Sequence, residues 1–294
     1  MELVKQKYLS GERALFQSEG MRIEDSVFAD GESPLKESKN LEIDQSVFKW
    51  KYPLWYCQNI QMTNSALLET ARSGIWYTHH IHIQDSVIEA PKTFRRASDI
   101  TLENVDMPLA EQTFWNCQDI KLNKVSVRGD YFAMNSVNIT ADHLNLTGNY
   151  CFDGANHIVV RNSKLLSKDA FWNCENVTVY DSTIIGEYLG WNSKNITFIN
   201  CTIESLQGLC YMENVKLVNC KLMNTSLAFE YCSNIEADIH SHIDSIKNPI
   251  SGVIRAQSIG EIILEETKIN PAETKIVVEN KSYNETIQSE CVHC

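Results

Sequence analysis

The segment Asn195-Ile196-Thr197-Phe198-Ile199-Asn200-Cys201-Thr202-Ile203 carries the pattern that decides the fold of this chain. A polar turn residue precedes two apolar residues separated by one position, and then come Asn or Asp, a small residue and a further apolar residue. Neighbouring copies lie about 20 residues apart, a period typical of solenoids, whose coils bury their apolar faces only by stacking. The pattern occurs thirteen times, with its first apolar residue at Met21, Leu41, Ile60, Ile81, Ile100, Ile120, Val137, Ile158, Val177, Ile196, Val215, Ile235 and Ile262.

The repeated segments are short and rich in β-branched residues, and none shows the apolar stripe of an amphipathic helix. The Leu-x-x-Leu-x-Leu signature of leucine-rich repeats, which share this period, is missing. The sequence therefore predicts an all-β fold, a single-stranded right-handed parallel β-helix of about 12 to 13 coils.

The repeat runs through both halves of the 294-residue chain without a linker rich in Pro, Gly or Ser. We therefore expect one β-helix domain over residues 1–294. The ends of a solenoid expose strand edges and need caps. We expect residues 1–20 to cap the N-terminal end, residues 21–243 to form the regular coils, and residues 244–294 to form an irregular last coil and a C-terminal cap.

The net charge of −12 opposes nucleic-acid binding, which relies on clustered Lys and Arg. It also disfavours a polyanionic substrate unless a cation mediates the contact. The N-terminal region lacks the apolar core of a signal peptide, and no segment is long and apolar enough to span a membrane. We therefore expect a cytoplasmic protein with no nucleic-acid partner and no membrane contact.

Most of the ten cysteines occupy repeated coil positions, which predicts buried ladders of reduced thiols rather than disulfides. Cys291 and Cys294 form a terminal C-x-x-C, for which half of a metal or redox site is the alternative interpretation. A single motif of this kind is a weak indication, so no metal and no cofactor are expected.

Two polar columns flank each strand. Asn or Asp stands four residues after the first apolar residue, as at Asn64 and Asn200, and a second polar column precedes the strand, as at Asn40 and Asn59. Asn and Asp tolerate the left-handed backbone conformation, so these columns predict sharp corners with ladders of stacked Asn and Asp side chains.

The column five residues before each strand is aromatic but is interrupted by charged residues. Arg95, Asp153 and Glu230 could not be buried unpaired at reasonable cost, so this column is expected to face outward. The following slot, which holds Tyr56 and Tyr77, is also expected to face outward, and two successive outward residues imply a bend. The column contains Trp55, Trp76, Arg95, Trp115, Phe132, Asp153, Trp172, Trp191, Cys210 and Glu230.

An outward stripe of aromatic, amide and charged side chains suits stacking on sugar rings and hydrogen bonding to sugar hydroxyls. Two alternatives stay open: the stripe stabilises the coils through ring contacts alone, or it binds a protein partner. The candidate ligand-binding residues are Trp55, Trp76, Arg95, Trp115, Lys168, Trp172, Trp191, Tyr211 and Glu230.

Acidic residues near this column are candidates for glycoside hydrolysis, which needs one carboxyl group as acid and a second as base or nucleophile. The Cα atoms of Asp130 and Asp153, in adjacent coils, are expected about 6 to 8 Å apart. Asp169 or Glu187 is the substitute for one of them. The alternative is that these carboxylates are solvated surface groups, because 38 acidic residues place some pairs in adjacent coils by chance.

Five longer motifs stand out: Gly11-Glu12-Arg13-Ala14-Leu15-Phe16, Asp30-Gly31-Glu32-Ser33-Pro34-Leu35-Lys36, Phe48-Lys49-Trp50-Lys51-Tyr52-Pro53-Leu54-Trp55-Tyr56, Lys168-Asp169-Ala170-Phe171-Trp172-Asn173-Cys174 and Gly186-Glu187-Tyr188-Leu189-Gly190-Trp191. With them, nearly the whole chain resembles an uncharacterised bacterial family of pectin-lyase-like right-handed β-helix proteins, a domain of unknown function. The resemblance implies the fold and no established activity. The wider superfamily includes polysaccharide lyases, glycoside hydrolases and carbohydrate esterases, but this chain lacks the Gly-His-Gly, the paired Asp-Asp and the Arg-x-Lys of polygalacturonases.

The sequence thus favours an intracellular carbohydrate-binding or carbohydrate-active protein, with possible hydrolase-like chemistry on a short neutral oligosaccharide. The alternative is a non-enzymatic solenoid whose aromatic face or ends contact another protein or a second copy of the chain, giving a homo-oligomer.

Overall fold

The computed structural model describes residues 2–278 and 281–282, so the Cys291 and Cys294 motif lies outside the described residues. The predicted all-β class and right-handed parallel β-helix are confirmed. The chain divides into the units Met1–Asn156 and His157–Cys294, and each is described by itself. Over the described range, no helix is long and apolar enough to cross a membrane.

The first unit is a stack of coils, each contributing a strand to one parallel ladder. Pairing joins the long strands in sequence order, with registers such as Met21↔Leu41 and Ile81↔Ile100. A 3-10 helix spans Glu69–Ala71. The strands are β1 (Glu2–Lys5), β2 (Tyr8–Leu9), β3 (Glu19–Glu24), β4 (Val27–Phe28), β5 (Lys39–Asp44), β6 (Val47–Phe48), β7 (Gln58–Thr63), β8 (Ala66–Leu67), β9 (Ile75–Trp76), β10 (His79–Ile88), β11 (Phe94–Arg95), β12 (Ser98–Met107), β13 (Gln118–Arg128), β14 (Val137–Asp142) and β15 (Asn145–Thr147).

The second unit continues the same pattern and ends in a short antiparallel pair. Its strands are β16 (Asn156–Arg161), β17 (Lys164–Leu166), β18 (Glu175–Tyr180), β19 (Thr183–Ile185), β20 (Lys194–Ile199), β21 (Thr202–Glu204), β22 (Glu213–Met223), β23 (Ser233–Lys247), β24 (Gly252–Ile263), β25 (Thr274–Val278) and β26 (Lys281–Ser282). A 3-10 helix spans Pro271–Glu273. β18, β20, β22, β23, β24 and β25 pair in parallel, and β25 pairs with β26 in antiparallel fashion.

Two of the thirteen repeat positions were wrong. Ile120 pairs with Ile139, so the first apolar residue of that coil is Ile139, and Val137 stands two residues earlier at a 38% exposed position. Ile235 pairs with Gly252, whereas Ile262 pairs with Ile246 in a later part of the coil. In both coils an apolar residue outside the core column matched the pattern by chance.

The inward positions form continuous columns along each unit. The rings of Phe28 and Phe48 stack at 4.6 Å, and the Ser46 hydroxyl accepts a hydrogen bond from the Ser26 backbone N–H at 3.2 Å. The cysteines at described positions are buried, as expected for the predicted thiol ladders. They are Cys57, Cys117, Cys151, Cys174, Cys201, Cys210, Cys220 and Cys232.

The predicted Asn and Asp corners are confirmed by their backbone conformation and by side-chain hydrogen bonds between coils. Asn40 and Asn59 have φ values of 53° and 57°, and the Asn59 amide donates to Asn40 Oδ1 at 2.7 Å. Similarly, the Asn64 amide donates to Asp44 Oδ1 at 2.9 Å. Each corner thus satisfies polar groups of the next corner in the stack.

The segment that was expected to cap the N-terminal end, residues 1–20, contains strands of its own. β1 pairs in parallel with β3, and Glu2 lies opposite the core residue Met21. β2 pairs with β4, and Tyr8 is 70% exposed. The parallel stack of the first unit therefore begins before the first sequence repeat.

Glycine is required where two coils approach closely at a turn. Gly31 has a φ of +135°, and a Cβ atom built there would lie 2.1 Å from the Gly11 carbonyl oxygen. No other residue adopts this conformation and this contact without moving the backbone.

Candidate functional site

A bend in the backbone positions the aromatic residues of the first unit. Tyr56, Tyr77 and Arg96 have positive φ values of 56°, 57° and 48° at the slot where the sequence predicted a bend. Asn116 occupies the same slot one coil later with a φ of 53°. The left-handed conformation costs an ordinary side chain about 1–2 kcal/mol and Asn less. An amide therefore suffices for the turn, and the larger side chains are present for another reason.

Four residues, Trp55, Trp76, Arg95 and Trp115, form a half-buried stack that we call the inner column. The indoles of Trp55 and Trp76 stack with centroids 5.1 Å apart and planes 7° apart. The Arg95 guanidinium carbon lies 4.6 Å from the Trp76 ring centroid and 4.8 Å from that of Trp115. These spacings match the ~4.8 Å repeat of paired strands. Arg95 thus takes the place of one aromatic ring in the stack.

The indole N–H groups of the inner column hold neighbouring coils together. Trp55 donates to the Ser73 carbonyl at 2.6 Å, and Trp76 donates to the Lys92 carbonyl at 2.8 Å. Trp115 makes the equivalent bond one coil further on, to a backbone carbonyl at 2.8 Å. Since both faces of Trp76 and its N–H are occupied, this indole cannot stack flat on a sugar ring.

A second stack, which we call the outer column, consists of Tyr56, Tyr77 and Arg96. The tyrosine rings lie 4.7 Å apart and 5° from parallel. Lys36 Nζ lies 5.6 Å above the free face of Tyr56, and the Arg96 guanidinium lies 5.9 Å from Tyr77. Tyr56 is 47% exposed. The column therefore offers ring edges and cationic groups at the surface, while its ring faces are covered. The two columns together are the aromatic corner.

The aromatic corner is locally basic in an acidic protein. Arg72, Lys92, Arg95 and Arg96 belong to adjacent coils, and among residues 2–278 none of them has a carboxylate within ion-pair distance. Lys51, in the preceding coil, differs because its Nζ lies 3.3 Å from Glu32 Oε1. Long-range repulsion by distant acidic groups is screened over about 8–10 Å. Within the described range, the corner thus contains four cations without an ion-pair partner and one paired cation, Lys36, whose Nζ lies 3.7 Å from Glu37 Oε1.

Two apolar members of the predicted outward column are buried inside instead. Phe132 is fully buried, and Met134 takes its slot, since the Asn116 N–H donates to the Met134 carbonyl at 3.0 Å. This correction follows from the register error at Val137. Cys210, in the second unit, is also fully buried.

The same register error affects the proposed carboxylate pair in the first unit. Asp130 Oδ1 accepts a hydrogen bond from the Asn149 N–H at 2.7 Å, and this contact places Asp130 opposite Asn149. Because Asn149 lies four residues before Asp153, Asp130 and Asp153 are offset by four residues along adjacent coils. The expected Cα separation of about 6 to 8 Å assumed an offset of two residues. The Asp130 carboxylate thus accepts a hydrogen bond from the backbone of the next coil. In the same way, Glu111 Oε1 accepts a hydrogen bond from the Asp130 N–H at 3.2 Å.

The candidate residues of the second unit form a surface network of charged and aromatic groups. Lys168 Nζ lies 3.4 Å from Glu187 Oε2, and this hydrogen bond raises the pKa of Lys168. The Asp169 side chain is buried, and its backbone N–H donates to the Glu187 carbonyl at 2.8 Å. Trp172 is half-buried. The Trp191 ring lies 4.7 Å from the ring of Tyr211.

Glu230 was expected to face outward but is only 5% exposed. Lys247 Nζ lies 2.9 Å from Glu230 Oε1, and the Gln207 amide donates to Glu230 Oε2 at 3.0 Å. The hydrogen bond to Glu230 raises the pKa of Lys247, and burial, followed by the charge of Glu230, raises the pKa of Tyr211. The sequence argument excluded an unpaired buried charge, and Lys247 supplies the pair.

A cavity that the sequence did not indicate lies on the sheet face of the second unit. It has a volume of about 410 Å³ and is lined by Asp238, His240, Arg255 and Gln257, among others. His240 Nε2 lies 3.2 Å from Asp238 Oδ2. The pairing of β23 with β24 is irregular between Ile239 and His242, next to this cavity.

The residues of the described range contain no cluster of three or more His, Cys, Asp or Glu side chains able to hold a metal ion.

Comparisons with solved structures find proteins of low sequence identity. The surface adhesin PfbA of Streptococcus pneumoniae is 11% identical, with 71% of this chain and 70% of that chain covered and a TM-score of 0.37. The A-module of the mannuronan C-5 epimerase AlgE4 of Azotobacter vinelandii is 12% identical, with 96% and 89% covered and a TM-score of 0.32. A mutant tailspike protein of Escherichia coli bacteriophage HK620, in complex with a hexasaccharide, is 10% identical, with 88% and 61% covered and a TM-score of 0.35.

A comparison with curated proteins finds no match. Residues 2–277, nearly the whole chain, match the family described as "Protein of unknown function (DUF3737)". The chain therefore belongs to the DUF3737 family of β-helix proteins.

Proposed function

We propose that this protein binds a short saccharide at the aromatic corner of its first unit. The observation that carries the proposal is the outer column, where Tyr56, Tyr77 and Arg96 occupy a left-handed slot that Asn116 fills elsewhere. The two tyrosine rings of this column are stacked in parallel at 4.7 Å, and a cation lies over each of them. Stacking between the tyrosines offsets part of the conformational cost.

The chemistry of the corner suits a ligand rich in hydroxyl groups. Tyrosine hydroxyls donate and accept hydrogen bonds, and guanidinium groups donate several in fixed directions. Because the ring faces are covered, the ligand is expected to lie along the ring edges, with the half-buried indoles of Trp55 and Trp76 as a rigid floor. This arrangement differs from the flat stacking on Trp that the sequence suggested.

Binding without turnover is the form of the proposal that the contacts support best. Asp130 already accepts a backbone hydrogen bond, and Glu187 is paired with Lys168. Catalytic roles for Asp130, Asp153, Asp169 and Glu187 stay predictions. Incubation of any bound oligosaccharide with the protein, followed by mass spectrometry of the sugar, tests them directly. Cleaved product that disappears in Asp130→Asn would contradict the non-catalytic form.

A glycan array followed by tryptophan fluorescence titration tests the binding proposal. We expect a saccharide to perturb the emission of the wild-type protein and Tyr77→Asn to weaken its binding by about 10-fold or more, as expected for loss of an aromatic anchor. Tyr231→Asn is the matched control, because Tyr231 occupies the same slot in the second unit with a φ of 51°. Silence across the array, or equal weakening by both substitutions, would contradict the proposal.

A further inference from the structure

The Arg95 guanidinium is a half-buried cation, and among residues 2–278 it has no counter-charge within ion-pair distance. Indole rings cover both of its faces, at 4.6 Å and 4.8 Å. Its Nε atom is shielded from solvent and has no hydrogen-bond partner. Over residues 2–278, no Asp or Glu forms an ion pair with Arg95. A charged donor in this state loses hydration that no protein group replaces.

A second buried charge in the protein shows what is missing at Arg95. Glu230 also replaces an aromatic residue in its column, but Lys247 and Gln207 satisfy both of its carboxylate oxygens. Arg161 is a closer comparison, since its guanidinium lies 3.8 Å from the ring of Tyr180, on one face only. The guanidinium of Arg95 is covered on both faces, so another group can contact it only at the edge of its plane.

Stacking on two indoles also fixes the direction of the guanidinium. A guanidinium with fixed orientation matches the geometry of a carboxylate or phosphate, which it binds through two parallel hydrogen bonds. Arg96 is the next residue along the chain and is exposed, and the Lys92 carbonyl is bonded to the Trp76 indole at the base of the same stack. Both residues carry a positive charge, and both belong to the same coil as Arg95.

We propose that Arg95 is the binding site for an oxyanion, a carboxylate or phosphate group, carried by the saccharide. This inference rests on the proposed function and gives its ligand a chemical class, an anionic sugar. Arg95 supplies two parallel hydrogen bonds, Arg96 and Lys92 supply long-range attraction, and the outer column contacts the rest of the sugar.

Three small probes that differ in charge and in anionic group test the proposal: glucose, glucuronate and glucose 6-phosphate. Binding to the full chain is followed by tryptophan fluorescence, because Trp76 and Trp115 flank the site, and by calorimetry. We expect at least one anionic probe to bind about 10-fold or more tightly than glucose, since charge-assisted bidentate pairs are the strong ones. The preferred anion tells whether a carboxylate or a phosphate is the ligand group.

The variants Arg95→Gln and Arg95→Met should abolish this preference, and Arg95→Lys should retain part of it, because Lys keeps the charge but not the fork. Arg161→Gln is the matched control and should bind like wild type. An anion preference that survives Arg95→Gln, or its absence in the wild type, would overturn the proposal. If both neutral variants unfold, a weakened preference in the folded Arg95→Lys protein supports the proposal and an unchanged preference contradicts it.

The outcomes separate this inference from the proposed function. Glucose or array binding that depends on Tyr77, without any anion preference, leaves the proposed function standing and removes the role of Arg95. Conversely, inorganic phosphate that binds through Arg95 while every saccharide fails supports the oxyanion site and contradicts saccharide binding.

Discussion

Replacing two adjacent residues of the aromatic corner should have unequal effects on stability. Tyr77→Asn loses the stack on Tyr56 at 4.7 Å, worth about 0.5–1.5 kcal/mol. It also loses the Arg96 contact at 5.9 Å, worth about 0.5–1 kcal/mol at an exposed site. It regains part of the ~1–2 kcal/mol that the left-handed conformation costs a tyrosine. The free energy of unfolding should therefore fall by about 2 kcal/mol at most.

Trp76→Ala removes a ring that is stacked on both sides and whose N–H donates to the Lys92 carbonyl at 2.8 Å. Truncation of a packed Trp costs about 3–5 kcal/mol, and the half-buried position puts this variant near the lower end. Urea denaturation followed by far-UV circular dichroism measures both variants without relying on tryptophan emission. An equal loss of stability in Tyr77→Asn and Trp76→Ala would refute the division into a structural inner column and a functional outer column.

Three further predictions concern the coils themselves. Gly31→Ala should lower the free energy of unfolding by about 3 kcal/mol or more, because its Cβ atom would overlap the backbone. Gly20→Ala is the control, because nothing lies within 4 Å of a Cβ atom built there. It should cost about 1 kcal/mol in the same urea titration. Burial raises the pKa of Cys57 to about 12. Iodoacetamide at pH 8 should therefore label this thiol only in denaturant, as measured by peptide mass spectrometry. Labelling under native conditions would contradict this prediction. The hydrogen bond from Asn64, with others, lowers the pKa of Asp44 from its ordinary value. Its stabilising contribution is therefore present above the unfolded pKa and lost as pH falls through the lower folded pKa. Asp44→Asn should flatten the acid limb of a profile of melting temperature against pH.

The period of the repeat made most of the fold predictable. Columns such as Asn40 and Asn59 have one structural role in every coil, so the sequence states that role many times. Where a coil departs from the period, this redundancy is lost. Val137 matched the pattern two residues before the true core position, Ile139, and the error moved Phe132 to the surface and Asp130 toward Asp153.

The candidate site was less predictable because single residues decide it. The rule that a charge faces outward holds at the half-buried Arg95 but not at Glu230, whose partner Gln207 lies 23 residues away in the chain. Likewise, the sequence placed tryptophans along one face but did not indicate that their faces and N–H groups are engaged by neighbouring coils. Such pairings depend on the turn conformation between strands, which a column alignment does not contain.

Neighbouring coils of the first unit are joined by hydrogen bonds between residues 19 positions apart, as at Asn40 and Asn59. Each coil is thus a module whose bonding surfaces repeat on its two sides. Duplicating the coil that runs from Ile81 to Ile100 would keep every ladder in register and place a second arginine beside Arg95. The number of binding groups and their specificity can therefore vary independently in such a chain. The number of coils sets how many charged groups line the corner, and a few side chains per coil set which ligand they recognise.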